Sequence, residues 1–264
     1  MEAQRSMKVV ILCGGIGARL KEQTEFIPKP MVEIGGKPIL WHIMKIYAHY
    51  GFNEFILCLG YKGEVIKSYF LNYKALNNDF TICLDHGEPI KIHSRTRENA
   101  WKVTLVDTGE KTLKGGRLKR VEKYATGDHI MVTYGDGVAD IDIPRLLDFH
   151  LAHGKMATVT GINPHARFGK LKLKGDKVLE FFEKPRETGE FVNGGFFVFK
   201  REIFRYLEDR EDCDLEYGAL EKIASMGELM TYKHFKFWAC LDTIRDAEYL
   251  EQLWRSNKAE WKLW

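Results

Sequence analysis

The run from Met7 to Cys13, MKVVILC, is apolar at every position but Lys8. Such a β-branched, unalternating run predicts a strand buried on both faces. A glycine-rich stretch follows at once. Pro38 then opens an apolar pattern of helical period that lasts through Tyr50 and stops at Gly51. Proline at the start and glycine beyond the end are the expected punctuation of a helix. The apolar run Phe55–Leu59 predicts a second strand, and a second helical pattern extends from Gly63 to Tyr73. Strand, helix, strand, helix is the order of a parallel sheet covered by helices.

Between Phe80 and Asp107 the rhythm changes. TICLD, IKIHS and WKVTLVDT read as short strands with little helical period between them, so residues 80–107 are expected to form a β insertion suited to contacts between copies of the chain. The α/β order then resumes. A basic helix is expected near Arg117–Tyr124, a strand at His129–Tyr134, a helix ending near Gly154 and a strand at Ala157–Thr160. A hairpin through Lys177, the apolar run Phe196–Phe199 and a helical tail follow. No repeat, low-complexity segment or linker interrupts residues 7–264, which are read as one α/β unit. The polar hexapeptide MEAQRS precedes Met7, a natural start, and is treated as a leader or non-native remnant.

Composition narrows the function classes. Forty basic and thirty-seven acidic residues leave a formal charge of +3, too balanced for nonspecific binding to nucleic acid or membrane. Any phosphate-binding charge must therefore be local. Five cysteines, at 13, 58, 83, 213 and 240, are odd in number and lack the close spacing of a zinc or redox motif. Three lie in apolar runs and read as small buried hydrophobes of a reducing compartment. No apolar stretch approaches the roughly 20 residues that span a bilayer, so the cytoplasm is the expected location.

The candidate chemistry gathers at strand ends. The first strand runs into Cys13-Gly14-Gly15-Ile16-Gly17-Ala18-Arg19-Leu20, where glycines let backbone N–H groups approach an anion. It is neither a Walker loop nor a full dinucleotide fingerprint, because Leu20 stands at the third glycine position. A plain tight turn would use the same glycines. Lys29 lies between Pro28 and Pro30, which should hold it on a stiff, extended segment, ready to meet a phosphate. Tyr134-Gly135-Asp136-Gly137 ends a strand, where open α/β sheets bind ligands, and Asp136 is the first candidate magnesium ligand. Asp242, at the end of another apolar run, reads equally as a second metal carboxylate or as the N-cap of the last helix. Gly115-Gly116-Arg117-Leu118-Lys119-Arg120 could grip a triphosphate or form the solvated face of a helix. Glu183-Lys184-Pro185 repeats the lysine–proline device, and Asn193-Gly194-Gly195 is a turn or a surface for a sugar. His150 and His153 share a helix face without a third ligand and read as surface residues.

Taken together, Gly14-Gly15-x-Gly17-x-Arg19-Leu20, Pro28-Lys29-Pro30, Gly135-Asp136-Gly137, Phe168-Gly169, Glu183-Lys184-Pro185 and Asn193-Gly194-Gly195 resemble the signature of the sugar-phosphate nucleotidyltransferase family. KPMVEIGGKPILWHIM, VTLVDTG, GGRLKR, YGDGVAD and NGGFFV resemble its glucose-1-phosphate cytidylyltransferase (CDP-glucose pyrophosphorylase) group. The resemblance spans nearly all of Met7 to Trp264. It implies the nucleotidyltransferase fold, a Rossmann-like, mixed, mostly parallel sheet flanked by helices. It also implies Mg²⁺-assisted transfer of a cytidylyl group from CTP to α-D-glucose 1-phosphate, giving CDP-glucose and pyrophosphate for cell-surface polysaccharide such as O-antigen.

By motif position, Leu12, Cys13, Gly14, Gly15, Ile16, Gly17, Ala18 and Arg19 would wrap the base and phosphates, with Arg19 toward the β- and γ-phosphates. Lys29 would sit between the sugar phosphate and the α-phosphate. Thr112, Arg117 and Gly135 would line the nucleotide pocket. Asp136 and Asp242 would hold magnesium, Lys184 would contact the sugar-bound phosphate, and Asn193 with Gly195 would meet the hexose. Arg19, Lys29 and Asp136 are thus the expected catalytic set. Ala18 stands where the wider signature has threonine, which removes a hydroxyl contact to phosphate. The Gly-Leu-Ala-Gln loop of thymidylyltransferases is absent, which argues against dTTP. Rival readings are a transferase using UTP or dTTP and a non-catalytic nucleotide-sugar sensor on the same fold. A dinucleotide-dependent oxidoreductase would need an acidic residue closing a second strand, and Glu33 lies between Pro30 and Pro38 instead. No nucleic-acid or membrane partner is expected, and a homo-oligomer is.

Overall fold

Val9 and Ile11 enter one hydrophobic cluster and Val10 and Leu12 another, on opposite faces of the sheet. That is why the first strand has no polar face. The computed structural model describes residues 7–17, 25–84, 90–93, 100–163, 170–183 and 190–264. Its main sheet has seven strands: β1 Val9–Leu12, β2 Glu54–Leu59, β3 Lys102–Asp107, β4 His129–Tyr134, β5 Ala157–Ile162, β6 Val192–Lys200 and β7 Leu229–His234. Their spatial order is β7-β5-β6-β4-β1-β2-β3. Only β6 runs against its neighbours, so the sheet is mixed and mostly parallel, as expected from the sequence.

Helices cover both faces. On one, α1 (Ile39–His49), α4 (Ile143–His153) and α6 (Ile244–Arg255) pack on Val9 and Ile11. On the other, α3 (Lys114–Arg120) and α5 (Ala219–Ser225) pack on Val10 and Leu12, while α2 (Gly63–Leu71) lies beside the first cluster. Burying each large apolar side chain in these layers contributes about 1.5–3 kcal/mol. The helix ends follow their local chemistry. Gly154 closes α4 with φ +62°, and Thr243 opens α6 in a capping box with Asp246.

Three expectations change in the structure. The segment 80–107 is divided: Phe80–Thr81 pairs with Lys91–Ile92 as a separate ribbon, whereas Lys102–Asp107 is the edge strand β3, parallel to β2. Trp101 packs edge-on against Phe55, and Val103 and Leu105 join the core, which draws this stretch onto the sheet. The basic helix begins three residues earlier than expected and ends at Arg120. His150 is fully buried, not a surface residue, because it continues the inward stripe of Leu146 and Leu147 on α4. Its Nδ1 lies 2.8 Å from Thr158 Oγ1, and His153 Nε2 reaches the same hydroxyl at 2.7 Å. Burial pushes the His150 pKa down to about 3, so the ring is neutral.

Candidate active site

The chain leaves β1 toward β2 on one side, while β4 lies on the other, so the carboxyl ends of β1 and β4 flank a topological switch point. Open α/β sheets place ligands at such a crevice. A cavity of about 400 Å³ opens there. Leu12, Cys13, Gly14, Gly15, Lys29, Thr112, Arg117 and Gly135 all line it, together with Asp136, Pro30, Tyr134, Leu113 and Lys114. Eight of the positions expected to meet the nucleotide thus share one wall. Ile16 and Gly17 are not among its lining residues. Ala18, Arg19, Phe168, Gly169, Lys184 and Pro185 lie outside the described residues.

Gly135 sits where the chain has no room. A Cβ there would stand 3.0 Å from Leu12 O and 3.1 Å from Pro30 Cγ. The next residue, Asp136, is fixed through its backbone, since Leu241 N donates to Asp136 O at 2.8 Å. Gly137–Ala139 pairs antiparallel with Trp238–Cys240, Gly137 opposite Cys240. This short ribbon brings Asp242 to Asp136 across more than a hundred residues of sequence. The N-cap reading of Asp242 is set aside, because Thr243 caps α6 and Asp246 accepts from the backbone N–H groups of Asp242 and Thr243. The carboxylate of Asp242 is left to face Lys29.

Lys29 is not extended, as its two prolines suggested. Pro28 is extended, but Lys29–Met31 forms one 3₁₀ turn, closed by Met31 N to Pro28 O at 2.8 Å and Val32 N to Lys29 O at 3.1 Å. Proline is tolerated at the first turn because its missing N–H would have no partner there. From this turn Lys29 Nζ donates to Asp136 Oδ2 and Asp242 Oδ1, each at 2.6 Å. The lysine side chain is 14% exposed and each carboxylate 27%. Burial works against the ammonium, but attraction and hydrogen bonding to Asp136 and Asp242 outweigh it and hold the Lys29 pKa above its ordinary value.

Two carboxylates meeting at one cation beside a cavity are a donor set that a divalent ion accepts when substrate oxygens complete its shell. Among the described residues no group of three or more His, Cys, Asp or Glu side chains could hold a metal ion by itself. The pair therefore fits an ion delivered with phosphate rather than one caged by protein alone.

Arg117 corrects the reading of the basic stretch as a triphosphate grip. The residue is 4% exposed, and its guanidinium donates to the carbonyls of Leu59, Gly109, Gly14 and Glu110 and to Thr108 Oγ1, at 2.7–3.0 Å. It ties two loops and the end of β2 into the pocket wall. Gly14 and Gly60 make room for it, since a Cβ at either would fall within 2.3 Å of Arg117 Nη1. Lys119 donates to Phe204 O, and Arg120 pairs with Asp209 and donates to Thr112 Oγ1; neither lines the cavity. Gly115 and Gly116 serve close packing, because a Cβ would press on the backbone of Asp214 and Arg210.

Sequence reasoning missed the side chains that brace Asn193 and Gly195. Tyr134, on the cavity wall, donates to Glu216 and accepts from Asn193 Nδ2 at 2.8 Å. Lys114 Nζ pairs with Glu216 Oε1 at 2.5 Å and lies over the Tyr134 ring. Asn193 Oδ1 holds Gly195 N at 2.8 Å, and Gly195, with φ +80°, fits because a Cβ would strike the Tyr134 ring. Burial and the Glu216 charge push the Tyr134 pKa far up, so it stays a donor. Asn193 and Gly195 were singled out in the sequence, and the hydroxyl of Tyr134 at a strand end was the one local signal of what braces them. Glu216 lies in a polar loop and carried none.

The family model described as "Nucleotidyl transferase" matches residues 8–255. The chain is also 50% identical over 259 residues to the glucose-1-phosphate cytidylyltransferase of Salmonella typhimurium, covering 98% of this chain and all of that one. The same figures hold for the enzyme of Salmonella typhi. This chain belongs to the nucleotidyl transferase family. The solved structure of HddC from Yersinia pseudotuberculosis shares the fold with a TM-score of 0.66 at 23% identity, covering 94% of this chain and 99% of that one. The family resemblance drawn from the motifs is thereby borne out.

For a nucleotidyl transferase the geometry has a direct chemical sense. The reaction brings two phosphate-bearing substrates together, and their mutual repulsion must be offset by cations held in place beforehand. A divalent metal is the family's general means of doing so. In this nucleotidyl transferase the site has a cavity of about 400 Å³, a lysine at its edge and two carboxylates meeting at that lysine. Cys13, which lines the cavity, and Cys240 are not nucleophiles: burial raises both pKa values, that of Cys240 to about 12, so neither is a thiolate. No helix among the described residues is long and apolar enough to cross a membrane.

Proposed function

We propose that this chain transfers a cytidylyl group from CTP to α-D-glucose 1-phosphate, forming CDP-glucose and releasing pyrophosphate. The observation that carries the reading is 50% identity across 98% of the chain to enzymes named for that reaction. The meeting of Lys29, Asp136 and Asp242 beside the cavity supports it.

An oxygen of the sugar phosphate attacks the α-phosphorus in line. The new O–P bond forms as the bond from the α-phosphorus to the bridging oxygen breaks, and pyrophosphate leaves with that electron pair. The nucleophile is already an anion, so no general base is needed, and catalysis reduces to alignment and charge neutralisation. Mg²⁺, held by Asp136 and Asp242, would supply charge neutralisation at the phosphate oxygens. Lys29, on its rigid turn, offsets the repulsion between the two substrates. Arg19 is assigned to the β- and γ-phosphates and Lys184 to the sugar phosphate by motif position. The loop Leu12–Gly17, Thr112 and Gly135 would enclose the nucleotide around the Arg117 girder. Asn193 and Gly195, braced by Tyr134, would meet the hexose.

Purified protein with Mg²⁺ and glucose 1-phosphate should release pyrophosphate with CTP and not with UTP, dTTP or ATP. Equal release with UTP or dTTP would discard the cytidine reading and keep the reaction class. A folded protein that binds nucleotide and releases nothing would be a sensor.

The proposal includes a cytoplasmic homo-oligomer. None of the five cysteines is in a disulfide, which supports a reducing compartment. Exposed apolar side chains in the insertion (Phe80, Ile82, Leu84 and Ile90) support a covered surface there. Sedimentation of a single monomeric species at micromolar concentration would remove the oligomer from the reading.

A further inference from the structure

Two carboxylates aimed at one point repel each other unless a cation stands between them. In the ligand-free chain that cation is Lys29, whose Nζ lies 2.6 Å from Asp136 and 2.6 Å from Asp242. The contacts engage one oxygen of each carboxylate, Oδ2 and Oδ1. A divalent ion shared by the same two side chains needs those inward-facing oxygens and the position of that ammonium. The two cations compete for one place.

The side chain can leave without moving the backbone. The 3₁₀ turn at Lys29–Met31 holds the main chain through its own hydrogen bonds, and Met31 is buried beneath it. Beyond it lie four methylenes and a compact charge that rotates freely. Lys29 and Asp136 both border the cavity, so an anion arriving there is within reach of a swinging ammonium. Moving the ammonium without a new anion would strand its charge, 14% exposed as it stands.

We infer that Lys29 is the resident counter-ion of the Asp136–Asp242 pair and excludes a divalent cation until a phosphate-bearing substrate draws it away. The inference rests on the proposal that these carboxylates hold the metal. Lys29 then does two things in sequence. It neutralises the empty site, and it passes to phosphate as the metal takes its place. Metal and phosphate binding are thereby coupled with positive sign, and the coupling is reciprocal. Free enzyme neither accumulates metal nor carries two bare carboxylates.

The test is direct metal binding without turnover. Mn²⁺ alone, followed by the spin-resonance signal of the free ion, is titrated into nucleotide-free protein. The wild type is compared with Lys29→Met and Lys29→Gln, each first shown to be folded by thermal unfolding. Both variants should bind one Mn²⁺ about 10-fold more tightly than the wild type, within the usual span of coupled sites. Adding Asp136→Asn to Lys29→Met should abolish the gain. Glucose 1-phosphate, which chelates Mn²⁺ weakly, should tighten Mn²⁺ binding to the wild type and have less effect on Lys29→Met. Equal or weaker Mn²⁺ binding by folded Lys29→Met and Lys29→Gln would overturn the inference while leaving the metal site intact. Absence of Mn²⁺ binding in every form, with glucose 1-phosphate present or absent, would overturn the metal reading of Asp136 and Asp242 and the inference with it.

Discussion

Lys29→Ala should slow pyrophosphate release by about 100- to 1,000-fold, the cost of removing one well-placed group that stabilises developing charge. The fold should lose little. The lysine bridges two carboxylates that are each 27% exposed, and ion pairs with that access to solvent contribute about 1 kcal/mol or less. Its backbone turn and its neighbours Pro30 and Met31, which are buried, remain in place. The expected pattern is a collapse of turnover with a midpoint of thermal unfolding lowered by less than about 5 °C. Lys29→Arg should not restore the rate, because a planar fork cannot take the place of a compact ammonium between two converging carboxylates. Turnover unchanged in a folded Lys29→Ala protein would remove Lys29 from the mechanism.

Arg117→Met should act in the opposite way, through stability first. The guanidinium donates to four backbone carbonyls, in the Gly14 loop, at Leu59 in β2 and at Gly109 and Glu110 after β3. Methionine fills much of the volume and satisfies none of them. Breaking a buried charged network costs about 3–5 kcal/mol, because the partners are left unpaired rather than returned to water. At about 2–4 °C per kcal/mol for a chain of this size, the unfolding midpoint should fall by roughly 10 °C. Gly14→Ala reaches the same defect from the other side, since its Cβ would overlap Arg117 Nη1 at 2.0 Å. CTP affinity should fall with stability in both variants, because this network shapes the loop expected to receive the phosphates. A fall in CTP affinity with an unmoved midpoint would instead mean that Arg117 grips the nucleotide directly.

The element order was legible because periodicity is a local property. A strand flanked by two cores needs no polar face, as Val9–Leu12 shows. A helix with one buried stripe must repeat every three to four residues, as Ile39–His49 does. His129–Tyr134 was legible at both ends for the same reason. Proximity of chemistry to strand ends also carried Asp136 and the loop Cys13–Gly17, since the switch-point rule depends only on the order of strands. The motif match extended this to the family.

What stayed hidden depends on which distant segment lies opposite a given residue. Arg117 has the composition of a phosphate grip, and only the approach of Gly14, Leu59 and Gly109 makes it a structural tie. His150 has the spacing of a surface histidine until Thr158 and the sheet close over it. Glu216 gains meaning only through Tyr134 and Lys114, brought together from three elements. Asp242 could cap a helix by its position in the chain, and the pairing of Gly137 with Cys240 turned it toward Lys29. By itself the sequence determined the layers, the succession of elements in the first half and the family chemistry, all of which follow from local pattern and motif. The tertiary structure alone decided which charges cancel within the protein and which remain for substrate, because electrostatic pairing depends on distance in space and residues far apart in the chain share no local signal.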